Sequence, residues 1–286
     1  MSRLPLVSVV MPVYNAADTV EDAVRSLLRQ TYANLEVVVV DDGSTDRSAA
    51  LVEAMGDTRV RILKLEHGGI VRARNAGCAE ARGLYLAVLD SDDIAHERRI
   101  AAQVEYLERR PTVGLLGTYA RFVYDDGAER VFAPPVDDRA LRRYLLWDNP
   151  FVHSSVMYRK QAFEDAKGYT PGPVANEDYR LWIEMARSWK LGMIPEVLVT
   201  YRVRGSSASR ASHRRLLLRA RLAAQWRAAA VLGPWSQALP ALTATSVAYV
   251  LHGVGGPLEV MGRRVAQAPS GRLRGFRPRG SGPRST

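Results

Sequence analysis

The chain has 286 residues, and 47% hydrophobic with 24% charged residues excludes a disordered or fibrous polymer. A single cysteine, Cys78, closes no intrachain disulfide, and no stretch reaches the roughly 18 apolar residues of a spanning helix. The net charge of +10 is uneven: residues 1–201 hold 25 basic and 29 acidic side chains, whereas residues 202–286 hold 15 arginines and one acid, Glu259.

Along the chain, Val7–Val13 reads as a buried strand and Thr19–Gln30 as a helix with Val20, Val24, Leu27 and Leu28 on one face. A strand over Leu35–Val40 ends at Asp41-Asp42-Gly43. A helix over Ser48–Met55, a strand over Val60–Leu65, a helix over Val71–Ala81 and a strand over Leu84–Leu89 follow, the last ending at Asp90. This alternation predicts a mainly parallel sheet with helices on both faces, which binds ligands beyond the carboxyl ends of its strands. The polar clusters Pro12–Asn15, Asp41–Asp46 and Asp90–Asp93 fall at such ends. Further on, the pattern predicts a helix over Ile100–Arg110 and strands over Val113–Tyr124 and Arg130–Ala133, joined by the hairpin signal Asp125-Asp126-Gly127. A short helix over Leu141–Trp147, a strand over Ser154–Arg159 and a helix over Glu177–Trp189 come next. Past Gly205 the composition turns to Arg/Ala/Leu helices, and from Ala268 to a Gly/Pro/Arg/Ser tail that reads as disordered.

Carboxylates at sheet ends repel unless cations or hydrogen-bond donors offset them. Asp90-Ser91-Asp92-Asp93 places Asp90 and Asp92 on one side of an extended segment, the oxygen-only chemistry of a hard divalent cation. The competing reading is an acidic turn capping the next helix. In Asp41-Asp42-Gly43-Ser44-Thr45-Asp46, a capped turn accounts for Gly43 through Asp46 but not for two carboxylates at the strand tip. A nucleobase edge or ribose hydroxyl would account for them by donating to a carboxylate.

Taken in order, Val9-Val10-Met11-Pro12-Val13-Tyr14-Asn15, Val40-Asp41-Asp42-Gly43-Ser44, Ala73-Arg74-Asn75-Ala76-Gly77 and Leu89-Asp90-Ser91-Asp92-Asp93 resemble the family 2 glycosyltransferases. A weaker extension includes Val152-His153-Ser154-Ser155 and Asn176-Glu177-Asp178. The resemblance implies a GT-A fold and an inverting transfer from a UDP- or dTDP-linked sugar to a glycan or lipid-linked acceptor. Residue by residue, it implies Pro12 and Tyr14 at the nucleoside, Asp42 at the base, and Arg74 and Asp90 along the donor. It implies Asp92 as the direct ligand of Mn2+ or Mg2+, and Asp178 as catalytic base. His153 is a candidate for contact with the acceptor or the phosphates, and Glu177 is a candidate on the acceptor side. Where many members carry a histidine after a Tyr-Arg pair, this chain has Arg204, a candidate for neutralising diphosphate directly. The Q-x-x-R-W signature of processive members does not occur, which favours transfer of one sugar, or a few, per encounter.

The expected organisation is a catalytic domain over residues 1–205, with a nucleotide-sugar-binding half (1–100) and an acceptor-side half (101–205). A helical extension over 206–267 and a tail over 268–286 follow. Leu218, Leu222 and Trp226 share one helical stripe among arginines, which suits either packing on the domain or an anionic membrane surface. The expected location is cytoplasmic, peripheral on the inner face of the cell membrane. Two rivals stand beside this reading: a sugar-nucleotide-binding protein without catalysis, and a nucleic-acid binder using the basic end. The second leaves the acidic strand ends unexplained, so no specific nucleic acid is expected.

Overall fold

The computed structural model describes residues 4–170, 176–203, 214–233 and 235–253. Nine strands form one sheet: β1 (Val7–Val13), β2 (Leu35–Asp41), β3 (Val60–Lys64), β4 (Tyr85–Val88), β5 (Ile94–Ala95), β6 (Val113–Tyr124), β7 (Glu129–Phe132), β8 (Met157–Arg159) and β9 (Lys190–Val203). Their spatial order is β3-β2-β1-β4-β8-β6-β9-β5, with β7 on β6. The first four in this order are parallel. Past β4 the sheet is mixed, with β8 antiparallel to both β4 and β6 and β9 parallel to β6.

Alternation along each strand sends side chains to opposite faces. Val9, Met11, Val37, Val39, Tyr85 and Ala87 meet α1 (Val20–Leu28) and α4 (Arg99–Glu108). Val10, Val38, Val40, Leu86 and Val88 meet α3 (Ile70–Glu80) and, farther along, α7 (Glu177–Met185). Both faces are covered, which is why β1 and β2 read as continuous apolar runs. A Cβ on Gly77 would stand 2.5 Å from Val10 Cγ1 and 2.8 Å from Val40 Cγ2, so α3 lies against the sheet at a distance only glycine permits.

Two segments depart from the sequence expectation. Ser154–Arg159 is not one strand: residues His153–Ser155 form a 3-10 turn before β8. Both serine hydroxyls are taken by backbone groups, Ser155 Oγ donating to Val152 O at 2.7 Å and Ser154 Oγ accepting Asp90 N–H at 3.0 Å. The fourteen-residue β9 had no clear sequence signal, because Pro195 interrupts it. The β6–β9 register shifts between Thr118 and Tyr119, and the bulge accommodates a residue without a ladder donor.

Helices α2 (Ser48–Glu53), α5 (Asp138–Leu145) and α6 (Lys160–Asp165) complete the domain, and α8 (Arg214–Leu232) and α9 (Trp235–Gly253) follow it. On α8, Ala224, Gln225, Ala228 and Ala229 are buried, whereas Trp226 of the expected stripe is 51% exposed. Arg227 pairs with Glu184 of α7 at 2.5 Å, and Gln225 donates to Trp147 O at 2.7 Å. Small residues, with Leu222 of the stripe packed beside them and Trp226 turned outward, bring α8 onto the domain.

Candidate active site

The carboxyl ends of β1, β2 and β4 converge on one edge. Pro12 sits just past the last β1–β4 pair, Val10–Val88, so its missing N–H costs the sheet nothing. Beyond it the chain turns at Asn15, φ 49°. Asn15 Oδ1 accepts Thr45 N–H at 2.8 Å, and its own N–H donates to Ser44 Oγ at 3.0 Å. Asp46 Oδ2 accepts Ala17 N–H at 3.0 Å, so the two strand-end loops are laced together.

Asp42 is buried, with Oδ1 accepting Gly68 N–H at 2.9 Å and Oδ2 accepting Gly69 N–H at 2.8 Å. His67 Nδ1 lies 2.9 Å from Asp42 Oδ2, and its ring stacks on Tyr14 with centroids 4.3 Å apart. Tyr14 is 48% exposed, an aromatic face beside a fixed carboxylate.

The centre of the site is Arg74 on α3, which is 6% exposed. Its Nη2 donates to Asp90 Oδ1 at 2.9 Å and its Nη1 donates to Glu177 Oε1, while the guanidinium lies 5.8 Å over the Tyr169 ring. One side chain thereby ties the end of β4 to the first turn of α7. Burial alone would raise the Asp90 carboxyl, but Arg74 and then His153 outweigh it and hold it well below the usual carboxylate range.

Asp178 enters α7 after Asn176, whose φ of 104° is a strained value for a residue with a Cβ. Its Oδ2 accepts Asn149 Nδ2–H at 2.9 Å and its Oδ1 the Tyr179 N–H at 2.6 Å. Burial pushes its carboxyl up, against the lowering influence of His153 and Arg74. His153, expected at the acceptor or the phosphates, stands beside the strand-end carboxylates, with Nδ1 3.7 Å from Asp90 Oδ1 and Nε2 2.8 Å from Tyr169 Oη.

Below this layer Asp93 is fully buried, its Oδ1 accepting Arg202 N–H at 2.9 Å. Burial, with Asp90 and Asp92 adding to it, raises its carboxyl well above the ordinary range. Arg99, also fully buried, donates to Val88 O and Val156 O at 2.9 Å each and so clamps the end of β4 to the turn that carries His153. Burial pushes its guanidinium down to about 9.

Among the described residues no three His, Cys, Asp or Glu side chains converge as a metal cage. Asp90 and Asp92 nevertheless fit a hard cation that takes one or two carboxylates and completes its shell with phosphate oxygens. Asp90 commits Oδ1 to Arg74. Arg204 lies outside the described residues.

His67, Asn149 and Tyr169 escaped the sequence reading, and Asn15 entered it only as the end of the Pro12–Asn15 cluster. Each meets a residue of the site at least 16 positions away in sequence, and only the Asn-Pro turn at Asn149-Pro150 left a local mark.

Residues 8–166 match the family model described as Glycosyl transferase family 2. An uncharacterized glycosyltransferase of Haemophilus influenzae is 30% identical over 222 residues, covering 73% of this chain and 69% of its own. The succinoglycan biosynthesis protein ExoO of Rhizobium meliloti is 45% identical over 162 residues, 56% of this chain and 46% of that protein. Among solved structures, TarS 1–349 of S. aureus with UDP-GlcNAc superposes with a TM-score of 0.64 at 19% identity, over 76% of this chain and 66% of that one. The mannosyltransferase PcManGT of Pyrobaculum calidifontis with GDP-Man and Mn2+ gives 0.62 at 21% identity, over 93% and 80%. The fold is thus that of the GT-A glycosyltransferases. The chain belongs to glycosyl transferase family 2, and it spans less than half the length of ExoO.

Proposed function

We propose that the protein transfers a single sugar from a UDP- or dTDP-linked donor to a hydroxyl of a glycan or lipid-linked acceptor, with inversion. The observation that carries this reading is the position of Arg74, bonded at once to Asp90 at the nucleotide end of the sheet and to Glu177 beside Asp178. That bridge brings a diphosphate-binding edge and a candidate base into one site.

In this reading the nucleoside lies along Pro12, with its base against the Tyr14 face and Asp42. Because both Asp42 oxygens already accept backbone N–H groups, the carboxylate is oriented before the ligand arrives. Asp92, with Asp90, would hold Mn2+ or Mg2+ on the diphosphate, where the ion neutralises charge on the departing group. Asp178 accepts the proton of the acceptor hydroxyl as its oxygen bonds the anomeric carbon from the face opposite the leaving group. Burial raises the proton affinity of Asp178 for this task, and Asn149 and the Tyr179 amide fix its direction.

A cavity of about 1010 Å³ between α7 and α8 starts at Asn176 and Glu177 and runs to Trp189, flanked by Arg180 and Arg219. Its position supports an elongated acceptor approaching from the α8 side. No helix among the described residues is long and apolar enough to cross a membrane. The excess of arginine after residue 201 supports a peripheral hold on anionic lipid at the inner face of the cell membrane.

The test is a panel of UDP-, dTDP- and GDP-sugars, scored for thermal stabilisation with Mn2+ and for release of nucleoside diphosphate. The reading expects a UDP- or dTDP-sugar to do both. Stabilisation without release, even with acceptor extracts, would favour the non-catalytic sugar-nucleotide binder.

A further inference from the structure

Besides the two main cores, a small apolar cluster lies at the carboxyl ends of β6 and β9. Alternation puts Ala120 and Phe122 of β6, Phe132 of β7, and Val199 and Tyr201 of β9 on one face, where Phe122 pairs with Tyr201 and Ala120 with Phe132. Ala120, Val152 and Val199 are buried at its base, whereas the three aromatic rings are only partly covered. The Phe122 and Phe132 rings are 6° from parallel with centroids 5.9 Å apart, and the Tyr201 ring follows 5.1 Å from Phe122. Three rings thus stand in a row, accessible from one side.

The row ends at the candidate active site. Arg202 N–H donates to Asp93 Oδ1 at 2.9 Å and Thr200 pairs with Ile94, so β9 carries Tyr201 past the Asp90–Asp93 strand end. Val152, at the base of the cluster, is the residue before His153. After burial, the carboxylates of Asp93, Asp90, Asp92 and Asp178 push the Tyr201 phenol up, which places this ring near the strand-end acids and the candidate base alike.

Resting on the transfer reaction proposed above, we infer that Phe122, Phe132 and Tyr201 form the platform on which a sugar ring of the acceptor lies, so that the acceptor presents a glycan end and not a bare lipid phosphate. A sugar ring carries C–H groups on its faces and hydroxyls around its rim. The C–H face suits the negative face of an aromatic ring, and the rim hydroxyls stay free to reach Asp178. An anionic headgroup on the same rings would stand near Asp178 and the strand-end carboxylates, a like-charge placement. A prenyl or acyl chain would cover the rings but bring no hydroxyl to the base. The cavity beside α7 begins at Glu177, next to the same Asp178, which leaves room for the rest of an elongated acceptor.

The experiment uses the full chain with Mn2+ and the donor selected by the nucleotide-sugar panel. The acceptor probes are the methyl glycosides of glucose, galactose, mannose and N-acetylglucosamine, and farnesyl phosphate. Wild type should transfer to at least one methyl glycoside. Phe122→Leu, Phe132→Leu and Tyr201→Leu should each raise the KM for that glycoside roughly fivefold or more, with donor Kd unchanged. Tyr201→Phe, which keeps the ring, should match wild type, as should Val131→Ala on the opposite, exposed face of β7. If Phe122→Leu melts early, Phe132→Leu decides, because β7 pairs with β6 alone. In saturation-transfer NMR, which needs no turnover, the C–H protons of one sugar face should receive saturation from wild type and less from Phe132→Leu. Transfer to no methyl glycoside, to farnesyl phosphate alone, an unchanged KM in the Leu variants, or donor affinity lost along with acceptor affinity would overturn the platform. Failure of wild type to bind any nucleotide sugar would instead overturn the donor site, and the NMR contact would still decide the platform.

Discussion

Arg74 and Asp178 show how burial changes what an ordinary charged residue can do. The Arg74 guanidinium is enclosed and answers two carboxylates, so removing it leaves Asp90 and Glu177 facing each other without a cation. Arg74→Ala should cost on the order of 3 kcal/mol in urea unfolding, and Arg74→Lys, which cannot fork to both partners, should recover only part of it. The Asp90 pKa sits below its unfolded value, so its share of stability is present above the usual carboxylate range and fades as the pH falls through it. Asp178 behaves in the opposite sense. Its pKa is raised, and a base works only when unprotonated, so turnover should fall on the acid side at a pH above the ~4 typical of a free carboxylate. A pH–kcat profile whose acid limb lies at or below that value would contradict the assignment. The Asn149→Ala variant, which removes a hydrogen bond to the Asp178 carboxylate, should move this limb further up.

At the scale of elements, the close seating of α3 sets the position of Arg74. Gly77→Val would drive a branched side chain into Val10 and Val40, lifting α3 and costing about 1–3 kcal/mol by overpacking. Thermal unfolding measures that cost, and a parallel loss of donor affinity would show that α3 carries the site with it. The first half of the sheet was legible in the sequence because its strands are apolar on both faces and its turns carry Asp and Gly. The strand ends were legible for the same reason, since carboxylates have no packing role there. Strand β9 was hidden by Pro195, and the serine-bonded turn at His153 resembled the start of β8. Asn149 and Tyr169 could not be placed from sequence. Their partners, Asp178 and His153, lie 29 and 16 residues away, and nothing local encodes either pairing.

For the whole molecule, the charge separates two tasks. A mildly acidic region whose carboxylates are held by Arg74 and backbone amides carries the site, and the arginine excess follows it. Residues 254–286 contain seven arginines and one acid, so a chain ending at residue 253 should lose salt-sensitive binding to vesicles containing phosphatidylglycerol while keeping its nucleotide affinity. Undiminished vesicle binding by the shorter chain would place the lipid contact elsewhere, with the exposed Trp226 and Leu239 of α8 and α9 the next surface to test. The central claim is that Asp178 performs chemistry in a site that binds nucleotide sugar without it. The most direct measurement is side-by-side calorimetric titration and turnover of wild type and Asp178→Asn with the donor identified by the panel. Donor affinity should stay within about twofold of wild type while transfer falls at least 100-fold, the range expected for loss of a general base. Retained transfer, or loss of binding and turnover together in a folded variant, would contradict it.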